Sequence, residues 1–248
     1  MSNYSSAKDF CKCRDPHQGR NLVVCIDGTS NKYGTKWTNV LELFSRLETE
    51  GQVRYYKNGI GASDTSLHAS SLGKMVDVAV DLAIAWNVEK GIQLAYHWLS
   101  ERYKPGDRIF LFGFSRGAFQ VRSLAAMIDA VGLVPEGHEE HIPYAYMLYV
   151  KLKTASQAEE TTKELVETFK EKLSTANVQV HFVGVWDTVS SVGLIRGKKA
   201  TLSDSSNHAC VFRQALALDE CRVKFQPECI AKNNPDPLPA NSKEVWFA

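Results

Sequence analysis

Gly113-Phe114-Ser115-Arg116-Gly117 brackets one serine between two glycines. A serine in a G-x-S-x-G setting can act as a nucleophile if the chain turns sharply enough to lift its hydroxyl clear. The flanking glycines remove Cβ atoms that would crowd such a turn. The pattern alone is weak, and its surroundings strengthen it. Arg108–Phe114 reads as an apolar strand, and residues 116–131, rich in Ala and Leu, read as a helix. A strand–turn–helix junction suits acyl transfer, because a helix N-terminus favours the negative charge that develops there. The Arg116 backbone N–H would be one donor to that charge. The plainer explanation is a glycine-bracketed turn with an idle serine.

A nucleophilic serine needs a base, and the base needs an orienting acid. In hydrolases with this motif the chain order is serine, acid, histidine. Asp187 fits the acid, because the apolar run His181–Trp186 leads straight into it; the alternative is an ordinary turn aspartate. Asp204 and Asp219 are weaker candidates. A second oxyanion donor is expected from Asp27-Gly28-Thr29, which ends an earlier apolar run, with Gly28 or Thr29 supplying the N–H. Two other chemistries use similar loops. A D-x-D-G-T phosphatase is excluded in its usual form, since Cys25 stands where its aspartate would be. A kinase-like phosphate loop leaves the Ser115 motif unexplained. The base is unassigned. His208 is the only histidine after Asp187, and it also reads as a surface residue near a helix start. His181 lies inside a strand, and His17, His68, His97, His138 and His141 precede the acid.

The elements that must position these groups alternate along the chain. Asn21–Ile26 is an apolar run suited to a strand buried on both faces. Thr38 or Asn39 caps a helix through Glu50, and Val53–Lys57 is a short strand. Residues 73–85 are weakly helical, and Asn87 caps a separate helix to Tyr103. Residues 135–175 hold an aromatic helix over Pro143–Leu152 and a charged one over Gln157–Leu173, read as an insertion or lid over the sheet. The aromatic stretch is either a membrane-facing surface or a helix packed on the sheet. Val178–Trp186 is a third core strand, Ser206–Leu218 a helix, and Glu244–Phe247 the start of another strand. The class is α/β, with a mainly parallel sheet flanked by helices. Residues 1–20 form a polar arm, and 21–248 one domain.

With 248 residues, the chain can bury one sizeable core. Its net charge of +1 and lack of a basic block argue against nucleic acid as a partner. The six dispersed cysteines form no metal or redox spacing and suggest reduced thiols in the cytoplasm. The polar N-terminus has no secretory core. No metal or other cofactor is expected.

Several segments together resemble the α/β-hydrolase domain family shared by fungal proteins and bacterial type VI secretion phospholipase effectors. They are Val24–Thr29 with Asn31, Asn39-Val40, Tyr56–Gly61, Gly113–Ala118, Val183–Thr188 with Val192-Gly193, Ala215–Glu220 with Arg222 and Phe225, and Glu244–Phe247. The resemblance spans residues 21–248 and implies hydrolysis of ester bonds, with phospholipids as substrates of the family's characterised bacterial members. Two departures stand out. The family often has a histidine where Gln214 stands. Its V-W-F segment usually leads into G-x-H-x-D-V-G-G, and this sequence stops at Ala248, before that stretch. The expectation is a C-terminally incomplete serine esterase whose base lies beyond Ala248, with a catalytically dead lipid- or protein-binding module as the alternative. Peripheral membrane contact and self-association through an open sheet edge are further expectations.

Overall fold

The computed structural model describes residues 19–28, 37–59, 73–154, 160–175, 177–189, 208–218 and 240–247. Its centre is a six-stranded parallel sheet in the order β2-β1-β3-β4-β5-β6. The strands are β1 (Asn21–Ile26), β2 (Gln52–Lys57), β3 (Arg108–Phe114), β4 (Val180–Trp186), β5 (Ala209–Ala217) and β6 (Ser242–Phe247). The helices are α1 (Asn39–Arg46), α2 (Gly73–Arg102), α3 (Arg116–Val131), α4 (Ile142–Thr154) and α5 (Glu160–Leu173).

Successive side chains of a strand point to opposite faces, so an unbroken apolar run needs cover on both. Leu22, Val24 and Ile26 of β1 join Ile109 and Leu111 of β3 in the main core with α2 and α3. Val23 and Cys25 face the other way, towards Val40 of α1 and the rings of Phe110, Phe112, Phe114 and Trp186. Thr38 caps α1, its hydroxyl accepting the Leu41 N–H at 3.1 Å. α3 is buried along most of its length, because the sheet, α2, α4 and α5 all pack against it. At the sheet's other end, Asp107 accepts from the Arg20 backbone N–H at 2.9 Å and its guanidinium at 2.7 Å, tying the chain entering β1 to the turn before β3.

The α/β class with a parallel sheet is observed, and four local expectations change. Ser206–Leu218 is not helical: Ala209–Ala217 forms β5, with Cys210, Phe212, Gln214 and Leu216 buried on one face. That is a period of two, and the helix-forming Ala-Leu composition masked it. Asn87 starts no helix, because α2 runs unbroken from Gly73. α1 ends at Arg46 instead of Glu50. The 135–175 region is helical, with α4 packed on α2 and α3 and α5 packed on α3 and α4. α4 buries Ala145, Tyr146, Leu148 and Tyr149 and exposes Tyr144 and Met147. The polar arm through residue 18 and the connection over 219–239 lie outside the described residues.

Candidate active site

β3 ends at Phe114 and α3 begins at Arg116, so Ser115 alone makes the turn between them. Its backbone stands at φ 55°, ψ −121°, a strained conformation for a residue with a side chain. Close backbone approach enforces it. A Cβ on Gly113 would lie 2.6 Å from the Gly117 carbonyl oxygen, and a Cβ on Gly117 would lie 2.2 Å from that of Ile26. The first turn of α3 is thereby pressed onto the end of β1. Gly28 passes beside the turn, where a Cβ would meet the Phe114 ring at 2.8 Å and the Ser115 Cβ at 3.1 Å.

Hydrogen bonds to the end of β4 hold the turn from the other side. The Ser115 N–H donates to the Trp186 carbonyl at 2.9 Å, and the Ser115 carbonyl accepts the Val189 N–H at 3.4 Å. Phe114 and Trp186 are register partners, which sets Ser115 level with Asp187. Asp187 also holds a positive φ, 43°. Its N–H donates to the Ala215 carbonyl at 2.9 Å, and its Oδ1 accepts the Ala217 N–H at 2.6 Å. The next residue, Thr188, is fully buried, and its Oγ1 has no hydrogen-bond partner among the described residues. Sequence reasoning did not single it out, and no local pattern marks it.

The loop after β1 is tied down by its aspartate. Asp27 is buried; its Oδ1 accepts the Gly28 N–H at 2.7 Å, and its Oδ2 accepts the hydroxyls of Thr38 at 2.7 Å and Tyr56 at 2.8 Å. The Gly28 N–H thus donates to the Asp27 carboxylate in this structure. Thr29 lies outside the described residues. The Arg116 N–H falls in the first turn of α3, which has no intrahelical acceptors, and Ser115 gives that turn no side-chain cap. The half-buried Arg116 guanidinium has its pKa lowered by desolvation, and its buried Nε has no partner. Burial, then the charge of Asp27, pushes the Cys25 thiol up to about 12, so it stays protonated and makes a poor nucleophile.

The structure does not bring His208 to this site. His208 precedes β5, and Asp187 meets that strand at Ala215. Seven residues of strand, about 23 Å at 3.3 Å per residue, separate the two. His208 instead pairs with Asp129 through Nδ1 at 2.7 Å. It sits on the edge opposite Ser115 because β5 is a strand. His181 stacks edge-on against Phe110 in the sheet. His138 and His141 follow the far end of α3, about 24 Å of helix from Ser115. His97 is near Glu101 and Glu139, in the same far region. His17, His68, Asp204 and Asp219 lie outside the described residues.

A parallel sheet covered by helices on both faces, with a strained serine at the C-terminal end of a central strand, defines an α/β-hydrolase-like protein. Among its relatives, the chain belongs to the type VI secretion Tle1-like phospholipase effector catalytic domain family, whose model matches residues 20–248. It is 36% identical over 222 residues to the uncharacterized protein YEL023C of Saccharomyces cerevisiae, covering 85% of this chain and 33% of that one. The chain thus spans about a third of this relative's length. The crystal structure of an uncharacterized protein from Pseudomonas aeruginosa aligns at a TM-score of 0.41 and 14% identity, over 93% of this chain and 40% of that chain. Among the described residues, no helix is long and apolar enough to cross a membrane.

Proposed function

We propose that the chain is the hydrolase domain of a serine lipase that cleaves carboxylic ester bonds of phospholipids. The Ser115 hydroxyl attacks the acyl carbonyl and passes its proton to a histidine base, which returns it to the departing alcohol; water then releases the acyl group by the same route. Asp187 orients the base. The Arg116 N–H and one from the loop at Thr29 receive the oxyanion. The observation that carries this reading is the strained Ser115 turn, held level with Asp187 by the bond to Trp186.

The base would enter along the same edge of the sheet. The Leu218 N–H donates to the Phe247 carbonyl at 2.8 Å, so the end of β6 lies beside the end of β5, where Ala217 binds Asp187. A histidine following β6, as in the family's G-x-H-x-D-V-G-G stretch, would arrive next to that carboxylate. Membrane contact and self-association through β6, which exposes Val245 and Trp246, extend the same reading.

A second reading, a binding module that turns nothing over, is favoured by one observation. None of the described histidines is placed at Asp187. Labelling by a fluorophosphonate probe tests the first reading, because it needs an activated serine. Labelling abolished by Ser115→Ala supports it; no labelling of a folded chain that carries the family's histidine stretch refutes it.

A further inference from the structure

We propose that His138, Glu140 and His141 form a binding site for a divalent transition-metal ion, zinc above all, on the turn between α3 and α4. Side chains three residues apart nearly eclipse in a 3-10 helix. The single 3-10 turn Glu139–His141, with His138 at its N-cap, therefore sets the two histidines side by side. Their rings are parallel within 9° at a centroid separation of 6.0 Å. The Glu140 carboxylate lies 3.7 Å from Nε2 of His141. One ligand atom from each of the three residues falls within 4.8 Å of the others. Small rotamer changes bring such a set to the 2.0–2.2 Å bonds that zinc forms with imidazole and carboxylate, leaving a fourth position for water.

The scaffold beneath is already fixed. Ile142 and Val134 are buried on either side of the turn, and the Val134 N–H donates to the buried Tyr96 hydroxyl at 2.9 Å. Oε1 of Glu139 accepts the Gly137 N–H at 3.2 Å. Two imidazoles with one carboxylate favour zinc, copper or nickel over calcium or magnesium, which prefer oxygen ligands. The neighbouring set of His97, Glu101 and Glu139 offers one imidazole and two carboxylates, a poorer match to the same ions. Because α3 separates the turn from Ser115, a bound ion would brace the turn that leads into α4 and take no part in ester chemistry. This proposal does not depend on the hydrolase reading.

The test is calorimetric titration of the whole 248-residue chain with Zn2+ after chelator treatment, in wild type and in His138→Ala, His141→Ala and Glu140→Gln. These side chains are at or near the surface, so the variants should fold, and circular dichroism checks that. The expected result is one ion whose affinity falls by at least about tenfold in each histidine variant, and stays unchanged in His97→Ala and in Cys11→Ser/Cys13→Ser. Zn2+ should raise the thermal midpoint of wild type and of Glu140→Gln more than that of the double variant His138→Ala/His141→Ala. Unchanged zinc affinity in that double variant, or no zinc binding by wild type, overturns the proposal.

Discussion

Ser115 and Asp187 stand level at the ends of neighbouring parallel strands, and both hold backbone conformations that side chains rarely adopt. The Ser115 N–H donates to the carbonyl of Trp186, next to Asp187, at 2.9 Å. Strain of this kind persists only where the surroundings over-determine it. Here the glycines at 28, 113 and 117 clear the space, and β4 and β5 brace Asp187.

The tightest of those approaches predicts a stability loss. Gly117→Ala puts a methyl 2.2 Å from the Ile26 carbonyl and 2.6 Å from that of Asp27, both backbone atoms with little room to give. The start of α3 must lift off β1, at a cost of about 3 kcal/mol. Urea unfolding would show it as a lower midpoint. Gly28→Ala meets the movable Phe114 ring instead, so it should cost less stability while displacing Ser115.

Asp27 gives a second prediction. Its carboxylate accepts from Gly28, Thr38 and Tyr56, which ties β1, the start of α1 and β2 together. Tyr56→Phe removes one donor and should cost about 1 kcal/mol. Asp27→Ala removes the acceptor that serves two half-buried hydroxyls and a buried N–H and should cost about 3 kcal/mol. An unfolding midpoint for Asp27→Ala no lower than that for Tyr56→Phe would show that this network is not what holds the loop.

The extent to which the sequence foretold these features follows from locality. The Ser115 turn, β1 and β3 are written in short contiguous patterns, so they were readable. β5 was not, because its Ala-Leu composition suits a helix and only the burial alternation at Cys210, Phe212, Gln214 and Leu216 reveals a strand. Because β5 is a strand, His208 at its start falls far from Asp187. The bond from the Gly28 N–H to Asp27 depends on where the Asp27 side chain turns, which spacing does not encode. Asn87 looked like a cap, but tertiary packing carries α2 through it.

The Arg20–Asp107 pair predicts a pH dependence. Burial alone would raise the Asp107 carboxyl, but hydrogen bonds from the Arg20 side chain and backbone and from Lys104, with the Arg20 charge, leave it below the usual carboxylate range. A depressed carboxyl contributes stability above its unfolded pKa and loses it as pH falls through the folded one. The contribution is therefore intact at neutral pH and fades below about pH 4. Asp107→Asn should be less stable than wild type at pH 7 and approach it in acid. A parallel offset at every pH would refute this.

His208 supplies a negative control for the catalytic reading. Its side chain pairs with Asp129, and hydrogen bonding to His208 is the main reason the Asp129 carboxyl is depressed. His208→Ala should cost less than about 1 kcal/mol, because Asp129 is largely exposed. It should leave fluorophosphonate labelling of Ser115 unchanged. Loss of labelling in a stably folded His208→Ala chain would place that histidine at the site after all.

The last prediction concerns the base. Ser115 is strained and Asp187 is braced beside it, and the described residues place no imidazole between them. If those two groups are competent, a small diffusible base can substitute in part. Added imidazole should raise hydrolysis of a short-chain ester by the 248-residue chain, in proportion to its neutral form. Ser115→Ala should abolish the increment, since oxyanion contacts and binding alone give only weak residual catalysis. Asp187→Asn should retain part of it, because free imidazole needs less orienting than a tethered histidine. Stimulation that persists in Ser115→Ala would be ordinary solution catalysis and would count against Ser115 as the nucleophile. No stimulation of a chain already active without imidazole would mean that it holds its own base, to be sought in the loops on the Asp187 edge of the sheet.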